Sequence, residues 1–295
     1  MTIGIVPNTT KPRIWEIVKR LVKQLEANQI NYLISESIKD VHYANDKKLN
    51  GAVLLDHSRL FEQSDLVISI GGDGTMLNTA YEARESQTPL VGINYGKLGF
   101  LAEFDITGID ELVNSFKTKE FVIEERMALD GKCNQVEETL YAVNDIVIDR
   151  GRWPKMIDLS VKADEEDVST FAADGIIVAT PTGSTGYSLS TGGPIVNPKA
   201  DAITLSPISP HTLTMRPLVL SSNQKITITA HSPYKNIQVI CDGQRVYYFN
   251  PPATITITKS DKHIKLVHTK GNSYFEILRK KLLWGLDVRT NTTKM

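Results

Sequence analysis

The chain has 295 residues, and its 33 basic side chains nearly cancel its 34 acidic ones to leave a net charge of −1, which argues against a nucleic-acid footprint but not against a small anionic ligand held by local donors. Two cysteines, Cys133 and Cys241, make neither a disulfide framework nor a metal signature and read as reduced structural thiols. No stretch approaches the ~18 apolar residues of a membrane span and the opening residues lack a secretory pattern, so a soluble cytoplasmic protein with no nucleic-acid or membrane partner is expected.

The first third alternates strand and helix. Residues 3–6 form a short apolar run ending at Pro7, and Ile14, Ile17, Val18, Leu21 and Leu25 then recur at helical spacing. Residues 32–34 make a second short strand, and 35–64 is polar and irregular, a loop holding at most one helix. Residues 66–70, Leu-Val-Ile-Ser-Ile, are apolar without alternation, as in a parallel strand covered on both faces. A helix is expected from Thr75 to Ser86 and a strand over 90–93. Strands alternating with helices imply a parallel α/β sheet.

From about Phe121 the segments turn to β-type, with isoleucine and threonine alternating at 226–229 and 255–258 and further strand runs at 141–148, 157–161, 237–240 and 264–266. The fold class expected is α/β plus β: an α/β domain over residues 1–127 with 272–295, and a mostly antiparallel β-rich domain over 128–271. A helix over 273–283 returns to the first domain. Asp164-Glu165-Glu166-Asp167 lies between two strand runs and reads as a solvated hairpin tip rather than a metal site.

Three features carry chemistry. Gly71-Gly72-Asp73-Gly74 follows the buried strand, with Thr75 opening the helix, which is how backbone N–H groups are presented to phosphate. A carboxylate beside phosphates is repelled unless it takes a proton from an attacking hydroxyl or holds a divalent cation; the plainer reading is that Asp73 caps the helix. Asn144-Asp145 interrupts an apolar strand run, so at least one polar side chain points inward and needs a partner, from the protein or from a ligand. Residues 174–194, from Asp174 through Thr185, Gly186, Tyr187, Ser188, Leu189 and Ser190 to Pro194, crowd glycines and hydroxyls behind an apolar strand. They suit a ribose-bearing ligand with Tyr187 stacking on a base, or else a flexible loop with a helix cap at Ser184 or Thr185. Arg150, Arg152 and Lys155 form a basic cluster fit for pyrophosphate or for solvent. The dinucleotide G-x-G-x-x-G pattern fails at Leu77, and no P-loop, protein-kinase or zincin motif is present, so the six histidines receive no role.

Together, in this order and spacing, Gly71–Gly74, Asn144-Asp145 and 174–194 resemble the NAD kinase family, as does Asn94-Tyr95-Gly96-Lys97-Leu98-Gly99-Phe100-Leu101. The glycine-aspartate turn alone is shared with lipid kinases and, more distantly, phosphofructokinases; the run Thr180–Tyr187 makes the resemblance specific. It implies phosphorylation of the 2′-hydroxyl of NAD's adenosine ribose by ATP with Mg²⁺ or another divalent cation carried by ATP, no protein metal ligand being assigned. It implies Asp73 as general base and NAD ligand, beside Gly74, Asn144 and Asp145 at the adenosine half, and Asp174 at the nicotinamide end. Residues 185–190 would line the same ligand, with Lys155, Ala172 and Gln244 touching it. Gly71, Gly72, Gly74 and Thr75 would hold the ATP phosphates, and a homodimer or homotetramer is implied. Many relatives carry Glu where this chain has Asp145, and Ala where it has Gly186. The rival functions are a lipid (diacylglycerol or sphingoid) kinase sharing the turn and a dinucleotide sensor without catalysis.

Overall fold

The computed structural model describes residues 1–40, 52–96, 99–102, 104–269, 273–284, 286–287 and 292–293; Lys97 and Leu98 of the family-like segment lie outside them. In chain order the elements are β1 (Thr2–Pro7), α1 (Ile14–Ala27), β2 (Asn31–Ser35), β3 (Val53–Leu55), α2 (His57–Gln63), β4 (Leu66–Gly71), α3 (Asp73–Glu82), β5 (Leu90–Asn94), β6 (Phe104–Asp105), α4 (Ile109–Thr118) and β7 (Phe121–Arg126). There follow β8 (Leu129–Cys133), β9 (Thr139–Ala142), β10 (Asp145–Asp149), β11 (Ile157–Ala163), β12 (Glu166–Ala173), β13 (Gly175–Ala179), α5 (Tyr187–Ser190), β14 (Ala202–Ile208) and β15 (Leu218–Ser221). The chain ends through β16 (Ile226–His231), β17 (Ile237–Cys241), β18 (Arg245–Phe249), β19 (Ala253–Lys259), β20 (Ile264–Thr269) and α6 (Tyr274–Leu282). Two compact units result, 1–125 with 265–295, and 126–264. Among the described residues no helix is long and apolar enough to cross a membrane.

In the first unit the strands run β3-β2-β1-β4-β5-β20-β7, with β6 beside β5. The pairs β1–β2, β1–β4, β4–β5 and β5–β20 are parallel. Every residue of β4 and β5 is buried, which explains their unbroken apolar sequence. Helix α1 buries Ile14, Ile17, Val18, Leu21, Val22 and Leu25 on one stripe, the 3.6-residue period made physical. The chain leaves β1 toward β2 on one side, while β4 lies on the other. The sheet order therefore reverses at the carboxyl ends of β1 and β4, where open α/β sheets leave a ligand crevice.

The sequence places residues 264–266 in the antiparallel domain, with its boundary at 271/272, but β20 is parallel to β5 and Val267 joins the first unit's core. Alternation shows that a strand has one buried face; it does not say which sheet it joins. The second unit is built of two six-stranded sheets, β15-β14-β13-β10-β17-β18 and β12-β11-β16-β19-β8-β9, whose pairs are antiparallel. They share one core that includes Ile146, Val178 and Val239 from the first and Leu159, Ile228 and Ile255 from the second. The isoleucines of β16 and β19 are buried and their threonines half-exposed, with Thr229 and Thr254 in cross-strand hydroxyl contact at 3.1 Å. The acidic run 164–167 is the β11–β12 hairpin tip, with Glu165 and Asp167 paired to Lys225 and Lys162 at 3.1 Å each.

Candidate active site

Helix α3 begins at Asp73, two residues before the expected Thr75, and Gly72 is its N-cap. Asp73 therefore does not cap the helix, and the plainer reading of the turn fails. Its carboxylate turns instead to the segment after β5. It accepts the backbone N–H groups of Phe100 at 2.8 Å, Leu101 at 3.1 Å and Ala102 at 3.4 Å. The close approach demands a glycine: a Cβ built on Gly99 would lie 1.8 Å from Asp73 Oδ1. Thr75 is fixed from the other side, its Oγ1 accepting Asn8 Nδ2 at 2.8 Å and Gly72 N–H at 3.4 Å. Asn8 immediately follows β1, so the ends of β1 and β4 are tied at the reversal point of the sheet. Among the described residues beyond its neighbours and its own helix, no atom lies within 4 Å of where a Gly72 side chain would begin, so the backbone there is open to a ligand.

In the second unit the run 141–148 is not one strand. β9 ends at Ala142 in one sheet and β10 starts at Asp145 in the other, so the chain changes sheets at Val143-Asn144. Such a crossing leaves backbone N–H groups without ladder partners, and Asp242 satisfies them. Its carboxylate accepts from Val143 N–H at 2.9 Å, Asn144 N–H at 2.7 Å and Asp145 N–H at 3.4 Å. Thr180 Oγ1 donates to Val143 O at 2.7 Å, and Thr180 N–H to Asn144 O at 2.8 Å, so the hydroxyl-rich segment is stitched to the same crossing. Asn144 Oδ1 is buried with no hydrogen-bond partner among the described residues. That orphan acceptor is an inward-pointing polar group of the kind the sequence leads one to expect at this position.

A cavity of about 300 Å³ opens here, lined by Asn144, Asp145, Tyr187 and Gly243 over an apolar floor of Val147 and Ile240. Asp145 is 5% exposed. Burial and then the nearby Asp242 carboxylate push its carboxyl up to about 7. Burial raises Asp242 as well, against the Asn144 amide and the Arg245 guanidinium. Asp242 is the one with a cation and three amides to stabilise its charge, so Asp145 is the partner that keeps the proton.

This has a measurable consequence. Below about pH 3.8 Asp145 is protonated folded or unfolded and contributes nothing. Between there and about 7 the unfolded chain ionises first, so the cost to the fold grows with pH and is complete above about 7. Asp145→Asn should therefore raise the melting temperature more at pH 8 than at pH 4.5, by an equivalent of up to ~3 kcal/mol at ~1.4 kcal/mol per unit. Equal melting shifts at both values would show that Asp145 is ionised without penalty.

The expected site residues fall into two groups on this unit. Asn144, Asp145 and Tyr187 line the cavity, with Gly186 next to the Asn144 and Asp145 side chains, Thr185 half-buried and Gln244 exposed on the β17–β18 turn. Ser188 is fully buried and spends its hydroxyl on Ser206 at 2.8 Å, Leu189 is half-buried and Ser190 exposed. The second group lies at the far end of the same strands. Asp145 pairs with Ala179, whereas Asp149, one residue before Arg150, pairs with Gly175, one residue after Asp174. Four residues of strand separate the ends by about 14 Å. There Asp174 is bonded to Arg150 Nε at 2.5 Å, and Arg150, Arg152, Trp153 and Gln238 line another cavity of about 290 Å³. Lys155 is exposed on the adjoining turn, and the half-buried Ala172 lends its carbonyl to His211 N–H at 2.9 Å. Sequence reasoning missed Asn8, the 100–102 amides and Asp242. The Asp242-Gly243 pair after a buried strand was the available signal for the last.

Residues 3–121 match the family model described as the ATP-NAD kinase N-terminal domain, and residues 143–269 the ATP-NAD kinase C-terminal domain. The chain belongs to the NAD kinase family. It is 37% identical over 287 residues to an NAD kinase of Chlorobium phaeovibrioides, covering 97% of this chain and 99% of the relative. Among solved structures it is similar to yeast NADH kinase complexed with NADH, with a TM-score of 0.87 and 25% identity over 99% of this chain and 90% of that one. It is also similar to an NAD kinase from Archaeoglobus fulgidus in complex with ATP, with a TM-score of 0.75 and 28% identity over 96% and 99%. Within the NAD kinase family, the expected parallel α/β sheet, antiparallel β-rich unit and C-terminal helix are the observed architecture.

Proposed function

We propose that the chain moves the terminal phosphoryl group of ATP to the 2′-hydroxyl of NAD's adenosine ribose, with Asp73 taking the hydroxyl proton. Membership of the NAD kinase family makes it an ATP-dependent phosphotransferase acting on NAD, and neither a lipid kinase nor a sensor without catalysis is supported. The observation that carries the reading of the site is a carboxylate in a glycine turn at the sheet's reversal point that is not used to cap its helix. Phosphoryl transfer runs through a loose, charge-rich transition state, so alignment and charge stabilisation are the protein's main tasks. The open backbone at Gly72, flanked by Gly71 and Gly74 at the N-terminus of α3 with Thr75, suits the ATP phosphates.

Asn144 and Asp145 hold the adenosine half of NAD, the orphan Asn144 Oδ1 accepting from a ligand donor. Tyr187, 47% exposed, offers its ring face to a base. Asp174 and its Arg150 partner serve the nicotinamide end, with Lys155, Ala172 and Gln244 as outlying contacts. Among the described residues no three His, Cys, Asp or Glu side chains cluster as a metal site, and Mg²⁺ would arrive on ATP with no protein ligand assigned to it. Bound with ATP, such a cation would supply charge neutralisation at the transferring group.

A coupled assay tests the reading. ATP-dependent formation of NADP is expected, with no phosphorylation of diacylglycerol or sphingoid base; NAD binding without turnover would leave only a sensor. A homo-oligomer is supported by the rim of exposed apolar side chains on the outer face of the β10 sheet, including Val219, Val246 and Tyr248 at 47%, 42% and 65% exposure. Sedimentation as a monomer at assay concentration overturns it. Two buried free thiols, Cys133 and Cys241, fit a reducing cytoplasm.

A further inference from the structure

Asp242 borders the cavity lined by Asn144 and Asp145, but its carboxylate has no exposed side-chain surface. It receives three successive backbone N–H groups of the sheet crossing and, at 2.6 Å, Arg245 Nη2. The same Arg245 nitrogen donates to Tyr141 O at 3.1 Å, on the near side of the crossing. The crossing is thus clamped from β9 through to β10 by one buried ion pair. A crossing that needed only stapling could use a neutral acceptor. A second carboxylate beside Asp145 burdens the fold twice, through its own desolvation and through repulsion of Asp145. That burden falls at a turn whose Asn144 and Asp145 side chains border the cavity.

We propose that Asp242 is a positioning residue for substrate binding: its buried carboxylate, braced by Arg245, fixes the backbone of Val143–Asp145 and so aims Asn144 and Asp145 at the NAD adenosine half. The inference rests on the reading of that turn as the NAD-binding element. It assigns Asp242 no contact with either substrate and no part in proton transfer. Its removal acts on one substrate, and it leaves an electrostatic trace because Asp242 faces Asp145. Among the described residues, the other charged or titratable groups around the pair are Arg245 from β18, Cys241 from β17, Glu138 preceding β9 and Tyr187 of α5 at the same cavity. Burial pushes the Cys241 thiol up to about 12, so it stays neutral near pH 7.

The test is steady-state kinetics of Asp242→Asn from pH 6 to 9, with thermal melting to verify a cooperative fold. The KM for NAD should rise at least tenfold at pH 7 while the KM for ATP stays within about twofold and kcat within about threefold. The pH dependence of the NAD KM should move to lower pH, because Asp145 loses its negative neighbour. A folded variant with an unchanged NAD KM, or with both KM values and kcat impaired together, overturns the proposal. Should Asp242→Asn fail to fold, Arg245→Leu removes only the brace and should raise the NAD KM about threefold or more with the ATP KM unchanged; no rise overturns it equally. Asn144→Ala separates the two layers. If it leaves the NAD KM untouched, the reading of the turn fails; if it raises the NAD KM and Asp242→Asn does not, the positioning role alone fails.

Discussion

Asp73→Asn should leave NAD binding near that of the parent and lower kcat by about 10²–10⁴-fold, the usual contribution of a positioned base. That range is roughly 3–5 kcal/mol of barrier. Asparagine matches aspartate in shape, and its carbonyl oxygen can still accept from Leu101 and Ala102, where Asp73 Oδ1 now sits at 3.1 and 3.4 Å. Its amide then faces the Phe100 N–H, a local loss of order 1 kcal/mol, so the variant should fold. What asparagine cannot do is take the proton. Near-parental kcat in the folded variant would remove Asp73 from the role of base. Gly99→Ala presses on the same group from behind. A Cβ 1.8 Å from Oδ1 forces the carboxylate off its amides, and a kcat loss of at least tenfold, with the base still present, would show that its orientation matters as well as its chemistry.

The parts of this fold legible in sequence are those where a single period decides the structure. The stripe from Ile14 to Leu25 can only be one face of a helix, and the unbroken run before Gly71 can only be a strand covered on both sides. Where two readings share a pattern, sequence was silent. The run 141–148 has strand character throughout, yet nothing in it marks the change of sheet at Val143-Asn144, because the group that makes the change possible, Asp242, is almost a hundred residues away. The same limit hid the partner of β20, and the buried stripe Ile109, Leu112, Val113 and Phe116 of α4 went unread. For the site, the carriers of chemistry were visible as residue types, while the groups that orient them were not. The 100–102 segment acts on Asp73 through backbone N–H groups, which have no sequence signature.

Gly183→Ala should be the most disruptive single methyl in the second unit. A Cβ there would sit 2.0 Å from the carbonyl oxygen of Asn144, 2.5 Å from its carbon and 2.8 Å from its Cα. These are backbone atoms, so no rotamer change relieves the clash; one segment must move off the other. Holding them together are Thr180 N–H to Asn144 O at 2.8 Å, Thr180 Oγ1 to Val143 O at 2.7 Å and Gly183 N–H to Thr180 Oγ1 at 3.0 Å, all at buried positions. Overpacking alone costs ~1–3 kcal/mol and a stranded buried polar group a further ~1–3. A loss of about 3 kcal/mol or more is expected, which at this domain size lowers the melting temperature by roughly 6–12 °C. The displaced carbonyl belongs to Asn144, so the NAD KM should rise with it, at least tenfold, and more than the ATP KM. Gly186→Ala, three residues on, is the control. Its Cβ would find Gly183 O at 3.2 Å and Asn144 Nδ2 at 3.7 Å, contacts that small shifts absorb, so its stability should change by no more than about 1 kcal/mol. If both variants melted and bound alike, the packing of the hydroxyl-rich segment against the crossing would not be what fixes the NAD-binding turn.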